Sequence, residues 1–216
     1  MNRAKNPLQI LKTLRYKQQD GFYNDAPLMK VHDRKRRHTV FQILVSCIIS
    51  QRTRDEQTAV VDSRLFAQAS TPQGILKLGK NRLTKLLKGA GFYRQKAKHI
   101  ISCCSEILKL GRTQSTMDEL LKLPGVGRKT ANIVLIHGFH KPAIAVDVHV
   151  HRIANRIGLV NTKTPEDTEA SLCALIPRHL WSIVNELLVA HGQKICQPRR
   201  PKCEICPVER FCAKKF

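Results

Sequence analysis

Cys196, Cys203, Cys206 and Cys212 fall within 17 consecutive residues in the pattern C-x6-C-x2-C-x5-C. Four thiols this close in a chain read first as a metal-binding loop, because thiolates are the soft anionic ligands that zinc and iron–sulfur centres take. The spacing lacks the paired C-x2-C knuckles usual at a zinc site. Four cysteines without a histidine suit an iron–sulfur cluster, and zinc stays open as the other reading. Between the first two cysteines lies QPRRPK, with Arg199, Arg200 and Lys202. Two prolines stiffen this segment, and a metal-closed loop would aim its three cations at phosphates.

A second group surrounds Leu123-Pro124-Gly125-Val126-Gly127. Pro124 ends one helical segment, and the glycines permit a tight turn and close approach of a ligand to the backbone. With the next helix starting near Arg128, the N–H groups of Gly125, Val126 and Gly127 are expected to point outward at its positive end, an anion site that fits a DNA phosphate. A plain helix–helix corner also favours Pro and Gly. Lys129 falls in the first turn of that helix. The helix dipole there disfavours an ammonium, as does Arg128 beside it, and a nucleophilic lysine must be uncharged. Read from residues alone, a solvated lysine touching phosphate comes first, since most lysines in a basic protein are solvated. Asp147 is an acid among apolar neighbours, Val146 and Val148, which calls for a reason. One is capping of a helix that begins near Val148; the other is an anion placed to act on a reacting group. His149 and His151 are expected to face the same way and to serve as hydrogen-bonding groups.

The elements that must hold these residues are helical. His38–Ser50 is apolar nearly all round and reads as a buried helix. Thr71-Pro72 is a helix start with Ile75–Leu87 behind it. Lys96–Leu110 is amphipathic, and Thr116 with Glu119 forms a capping box for a short helix to Leu123. Further helices start at Thr164-Pro165 and span Leu180–His191. Glycines 91, 111, 125, 127 and 158 mark helix ends. Only Ala143–His151 alternates as a strand would, and it has no partner elsewhere, so the expected fold is all-α. The first 19 residues carry no acid before Asp20 and are amphipathic. They suit a first helix of the fold better than a mitochondrial presequence.

The chain has 216 residues, with 38 Lys and Arg against 16 Asp and Glu, a net charge of +22. An iron–sulfur cluster with its four thiolates would return roughly two of those charges. The excess calls for a polyanionic partner, nucleic acid ahead of an anionic membrane. No stretch approaches the roughly 18 apolar residues of a membrane span. Cys47, Cys103, Cys104 and Cys173 sit among apolar residues and read as buried reduced thiols, which points to a reducing compartment rather than a disulfide scaffold. The basic run Arg34–Arg37 reads as a solvated face near DNA.

The stretches LPGVGRKTANIVL and AVDVHVHRIANRIGL, followed by the four-cysteine tail, resemble the endonuclease III family of helix-hairpin-helix DNA glycosylases. SQRTRDEQT at 50–58, GFYRQKAKHI at 91–100 and HGQKIC at 191–196 match in family order, so the resemblance covers about residues 30–212. It implies two lobes with DNA in the cleft between them. A six-helix barrel spans 32–141, with the hairpin motif at about 116–137. Residues 1–31 and 142–216 form the second lobe around a 4Fe-4S cluster. By position, Lys129 is the Schiff-base nucleophile and Asp147 the catalytic aspartate. Gln51 is the side chain that fills the gap left by an extruded nucleotide, and Phe92 lies in the matching wedge loop. The implied activity is a bifunctional glycosylase and abasic-site lyase of base excision repair, acting as a monomer on damaged duplex DNA. Its compartment would be the cytoplasm or nucleoid, or the nucleus or mitochondrion in a eukaryote. Adenine-removing relatives carry glutamate where Cys47 stands, and thymine-mismatch relatives tend to carry tyrosine in place of Lys129. Both differences favour oxidised pyrimidines over a mismatch or uracil glycosylase. A non-catalytic DNA-binding module does not account for Lys129 together with Asp147, and a redox carrier does not explain the hairpin.

Overall fold

The computed structural model describes residues 6–26 and 38–215. Among them the backbone is helical or irregular, with no strand. The chain divides into two compact units, Val31–Lys141 and the pair of segments Met1–Lys30 and Pro142–Phe216.

The first helix, α1 (Pro7–Gln19), belongs to the paired-segment unit; the second, α2 (Val40–Ser50), is the centre of the unit of residues 31–141. Thr39 and Gln42 close a capping box at the start of α2, which satisfies orphan amides there. Phe41, Ile43, Leu44, Val45, Cys47, Ile48 and Ile49 are all buried, as expected for a helix apolar on every face. Each large aliphatic or aromatic side chain among them contributes about 1.5–3 kcal/mol by leaving water. Around α2 pack α3 (Asp55–Phe66), α5 (Tyr93–Leu110) and α7 (Arg128–His137), with α4 (Pro72–Leu86) laid against α5. α3 adds a helix to those expected from the sequence. Asp55 and Glu56 sit in its first turn, where the dipole favours acids, and Val61 and Leu65 are fully buried. Gly79, at φ 70, kinks α4. The short α6 (Met117–Leu121) carries the expected capping box but ends before Leu123.

The other unit buries Ile10, Leu11 and Leu14 of α1 in a core shared with α8 (Val148–Ile157), α9 (Pro165–Leu175) and α10 (Trp181–Lys194). The N-terminal amphipathic segment is thus part of the fold, with Lys194 donating to the Phe22 carbonyl at 2.5 Å and pairing with Asp25 at 2.8 Å. Ala143–Val146 is buried, irregular backbone rather than strand, and the alternating pattern ends in the first turn of α8. α8 and α10 approach closely at Gly192: a Cβ there would lie 2.5 Å from Ile153 and 2.9 Å from His149. Cys47, Cys103 and Cys104 are buried, whereas Cys173 is only partly so. The run Arg34–Arg37 lies outside the described residues.

Candidate functional site

Gly125 takes φ +79 at the tip of the turn between α6 and α7, and Gly127 is the extended N-cap residue of α7. The amides do not all face out as expected. Val126 donates its N–H to the Leu123 carbonyl at 3.1 Å, closing the turn, and its side chain is buried. The amides of Gly125 and Gly127 have no acceptor among the described residues. They stand at the positive end of a ten-residue helix with no acid in its first turn, which is the physics of an anion site. Arg128 and Lys129 follow as the first and second residues of α7, both exposed.

Gln51, the C-cap of α2, donates its amide Nε2 to the Gly125 carbonyl at 2.8 Å and lies 3.4 Å from the Thr130 hydroxyl. The fold thus joins the glutamine turn to the hairpin, and Thr130 is the residue after Lys129. Phe92 is 60% exposed and left-handed, φ 55, with the Arg52 guanidinium 5.4 Å from its ring centroid; Arg52 is itself at φ 50. Two neighbouring non-glycine residues held in this region cost of order 1–3 kcal/mol each, a kind of strain that collects at functional sites. Phe92 is therefore no core aromatic.

Asp147 is the N-cap of α8: its Oδ1 accepts from the amides of His149 and Val150, each at 2.9 Å. His149 and His151 do not share a face. Two residues apart on a helix they diverge, His149 to Arg152 at 3.2 Å and His151 to the Thr168 hydroxyl at 2.7 Å. Both are hydrogen-bonded, as expected.

The tail brings Cys196, Cys206 and Cys212 against one apolar core, and none of the four tail cysteines is in a disulfide. Burial pushes the Cys206 thiol up to about 11, and the neighbouring Cys212, Cys196 and Cys203 add to this against the Val208 amide. Among the described residues no three His, Cys, Asp or Glu side chains converge as ligands of one ion would. Four thiols with no histidine among them are the donor set that an iron–sulfur cluster takes, one thiolate on each iron. Two arginines of α8, to which no motif in the sequence assigns a role, fasten the loop. Arg156 donates to the carbonyls of Gln197 at 2.7 Å and Pro198 at 2.8 Å, and Arg152 donates to that of Cys196 at 3.1 Å. Arg199 and Arg200 are exposed and Lys202 is largely so, Arg200 at φ 52.

A family model described as "HhH-GPD superfamily base excision DNA repair protein" matches residues 45–178. The chain is 49% identical to the endonuclease III of Thermotoga maritima over 174 residues, 80% of this chain and 82% of that one. It is 40% identical to the endonuclease III-like protein 1 of Mus musculus over 177 residues, 80% of this chain and 59% of that one. Among solved structures, a trapped endonuclease III–DNA covalent intermediate has a TM-score of 0.82 at 30% identity, covering 97% of each chain. A thermostable thymine-DNA glycosylase has a TM-score of 0.75 at 25% identity, covering 93% of this chain and 97% of that one. The chain belongs to the endonuclease III family within the HhH-GPD superfamily of base excision DNA repair proteins.

Proposed function

We propose that this chain is a bifunctional DNA glycosylase and abasic-site lyase that removes oxidised pyrimidines from duplex DNA, with Lys129 as its nucleophile. The observation that carries the reading is the exposed lysine at the second position of α7, directly after a hairpin whose Gly125 and Gly127 amides are open to a phosphate. The hairpin positions the strand without reading its sequence. The damaged nucleotide turns out of the stack, and Gln51 and Phe92 occupy the gap. Lys129 adds to C1′ of the deoxyribose, and the base departs with its bonding electrons and gains a proton. Asp147 stabilises positive charge on the opening sugar. The resulting imine links Lys129 to the opened sugar; loss of a C2′ proton then expels the 3′ phosphate. Capping α8 with one carboxylate oxygen fixes the orientation of Asp147, so its structural and chemical roles support each other.

Cys196, Cys203, Cys206 and Cys212 would hold a 4Fe-4S cluster. When bound, it supplies four covalent anchor points to the loop. Arg199, Arg200 and Lys202 would then meet phosphates from a stiff support, while Arg152 and Arg156 brace the carbonyls behind them.

Single-turnover assays on duplexes carrying thymine glycol, dihydrouracil, uracil, a thymine–guanine mismatch or an abasic site test the assignment. The expected outcome is base release and strand scission at the first two, and scission at the abasic site. Activity confined to uracil or the mismatch, without scission, would overturn it.

A further inference from the structure

The lysine that stands out in the unit of residues 31–141 is Lys96, on α5. It is 4% exposed, and its Nζ donates to the carbonyls of Ile49 at 2.6 Å and Gln51 at 2.5 Å and to the Thr53 hydroxyl at 2.9 Å. An ammonium has three protons to donate, and here all three find acceptors within one short stretch, the last turn of α2 and the residues that follow it. A buried cation is costly unless its hydrogen bonds are complete. These acceptors include two carbonyls that the end of α2 leaves without helical partners.

The same turn meets the Gly91 loop at two points. Thr53 Oγ1 also accepts from the amide of Gly91 at 3.1 Å, and a Cβ at Gly91 would lie 2.5 Å from the Arg52 carbonyl. The loop that ends in Phe92 is therefore seated on the turn that begins at Gln51. Further along the same helix, His99 lies under Gly125, where a Cβ would come within 2.4 Å of its ring, and Cys103 contacts the Pro124 carbonyl at 3.2 Å. Positions 96, 99 and 103 form one face of α5. That face supports, in order, the glutamine turn, with the aromatic loop seated on it, and the phosphate hairpin.

We propose that Lys96 is the positioning residue for nucleotide extrusion, its buried ammonium pinning the turn that presents Gln51 and, through Thr53, the loop that presents Phe92. This rests on the reading of Gln51 and Phe92 as gap-filling side chains. Lys96 touches neither DNA nor the reacting sugar; it acts through the two strained tips at Arg52 and Phe92. Left-handed backbone at non-glycine residues persists only where the surroundings over-determine it, and the three bonds from Lys96 are that determination for Arg52.

The test uses the full-length, cluster-loaded protein and the variants Lys96→Met and Thr53→Val, the second removing only the shared hydroxyl. A 2-aminopurine beside a thymine glycol reports extrusion. A single-stranded abasic oligonucleotide, trapped with borohydride, reports the Lys129 chemistry without extrusion. Hydrogen exchange at the Gly91 amide reports the clasp itself. Lys96→Met is expected to lose Gly91 protection and slow extrusion at least tenfold, while trapping on the single strand stays within threefold. Thr53→Val should show the same pattern, more weakly. In a double-mutant cycle, Lys96→Met added to Gln51→Ala should slow extrusion little further, because both act through one turn. The proposal is overturned if Gly91 stays protected in folded Lys96→Met. It is also overturned if trapping and extrusion fall together, or if the two substitutions add. If Lys96→Met does not fold, Thr53→Val, which removes one of the three acceptors of Lys96, decides by the comparison of extrusion with single-strand trapping and by the cycle with Gln51→Ala. Failure of the wild type on every lesion would instead sink the functional reading, and Gly91 exchange would still decide whether Lys96 holds the turn.

Discussion

At Asp147 the observed helix cap and the proposed charge stabilisation fall on one side chain, and substitution separates them. Asparagine caps a helix about as well as aspartate, so Asp147→Asn should keep the melting temperature of the wild type while base release falls by about 100-fold or more with the lost charge. Asp147→Ala should lose both, with a stability cost of about 1 kcal/mol for the cap. Equal activity of the Asn variant and the wild type would leave Asp147 a cap and nothing more. Lys96 gives a prediction of opposite character. Burial lowers it to about 8 from an ordinary 10.5. Between those values the unfolded chain holds the proton and the folded chain has shed it, so the stability contribution of this lysine rises with pH across that window. Urea denaturation at pH 7.5 and pH 10 should show the wild type gaining stability relative to Lys96→Met. A constant difference would contradict the assignment of that shift to the buried amine.

At the level of elements, the hairpin makes two glycines do different work. Gly125 is left-handed and has His99 where a side chain would go, so Gly125→Ala should destabilise the fold by about 1–2 kcal/mol from the backbone alone. Gly127 has no such constraint: a Cβ added there would meet nothing within 4 Å, and its φ is an ordinary −95. Gly127→Ala should therefore melt like the wild type yet bind DNA more weakly, because the methyl group stands between amide and phosphate. Tight binding by Gly127→Ala would move the phosphate elsewhere. Much of this architecture is legible in the residues. The capping box at Thr116 and the apolar run of α2 announce their helices, whereas the box at Thr39 shows only in the structure; the resemblance to the endonuclease III family, not spacing alone, points to Lys129 and Asp147. Fainter signals mark other features. The acids Asp55 and Glu56 with Val61 and Leu65 spell α3. Lys96 sits in phase with Ala97, Ile100, Cys103 and Ile107 on the buried face of α5, and that phase is a sequence signal of a satisfied lysine. What no pattern encodes is the use of an amide in a turn, such as that of Val126; the divergence of His149 and His151 follows from the helix expected near Val148, since residues two apart on a helix do not face each other.

Taken whole, the molecule carries +22 charges, and phosphate contacts release counterions, so its DNA affinity should fall steeply with salt. Neutralising Arg199, Arg200 and Lys202 one at a time should each flatten the log–log salt dependence by about one and weaken damaged and undamaged duplexes alike. A loss confined to the damaged duplex would place those cations in lesion recognition instead. The claim on which everything else depends is covalent: protein and DNA become one molecule through Lys129. Borohydride reduction during turnover of a thymine glycol duplex, followed by peptide mass spectrometry, tests it directly. A deoxyribose remnant is expected on the peptide that begins after Arg128, and none with Lys129→Ala. An adduct on any other residue of the wild type, or undiminished trapping by Lys129→Ala, would contradict it.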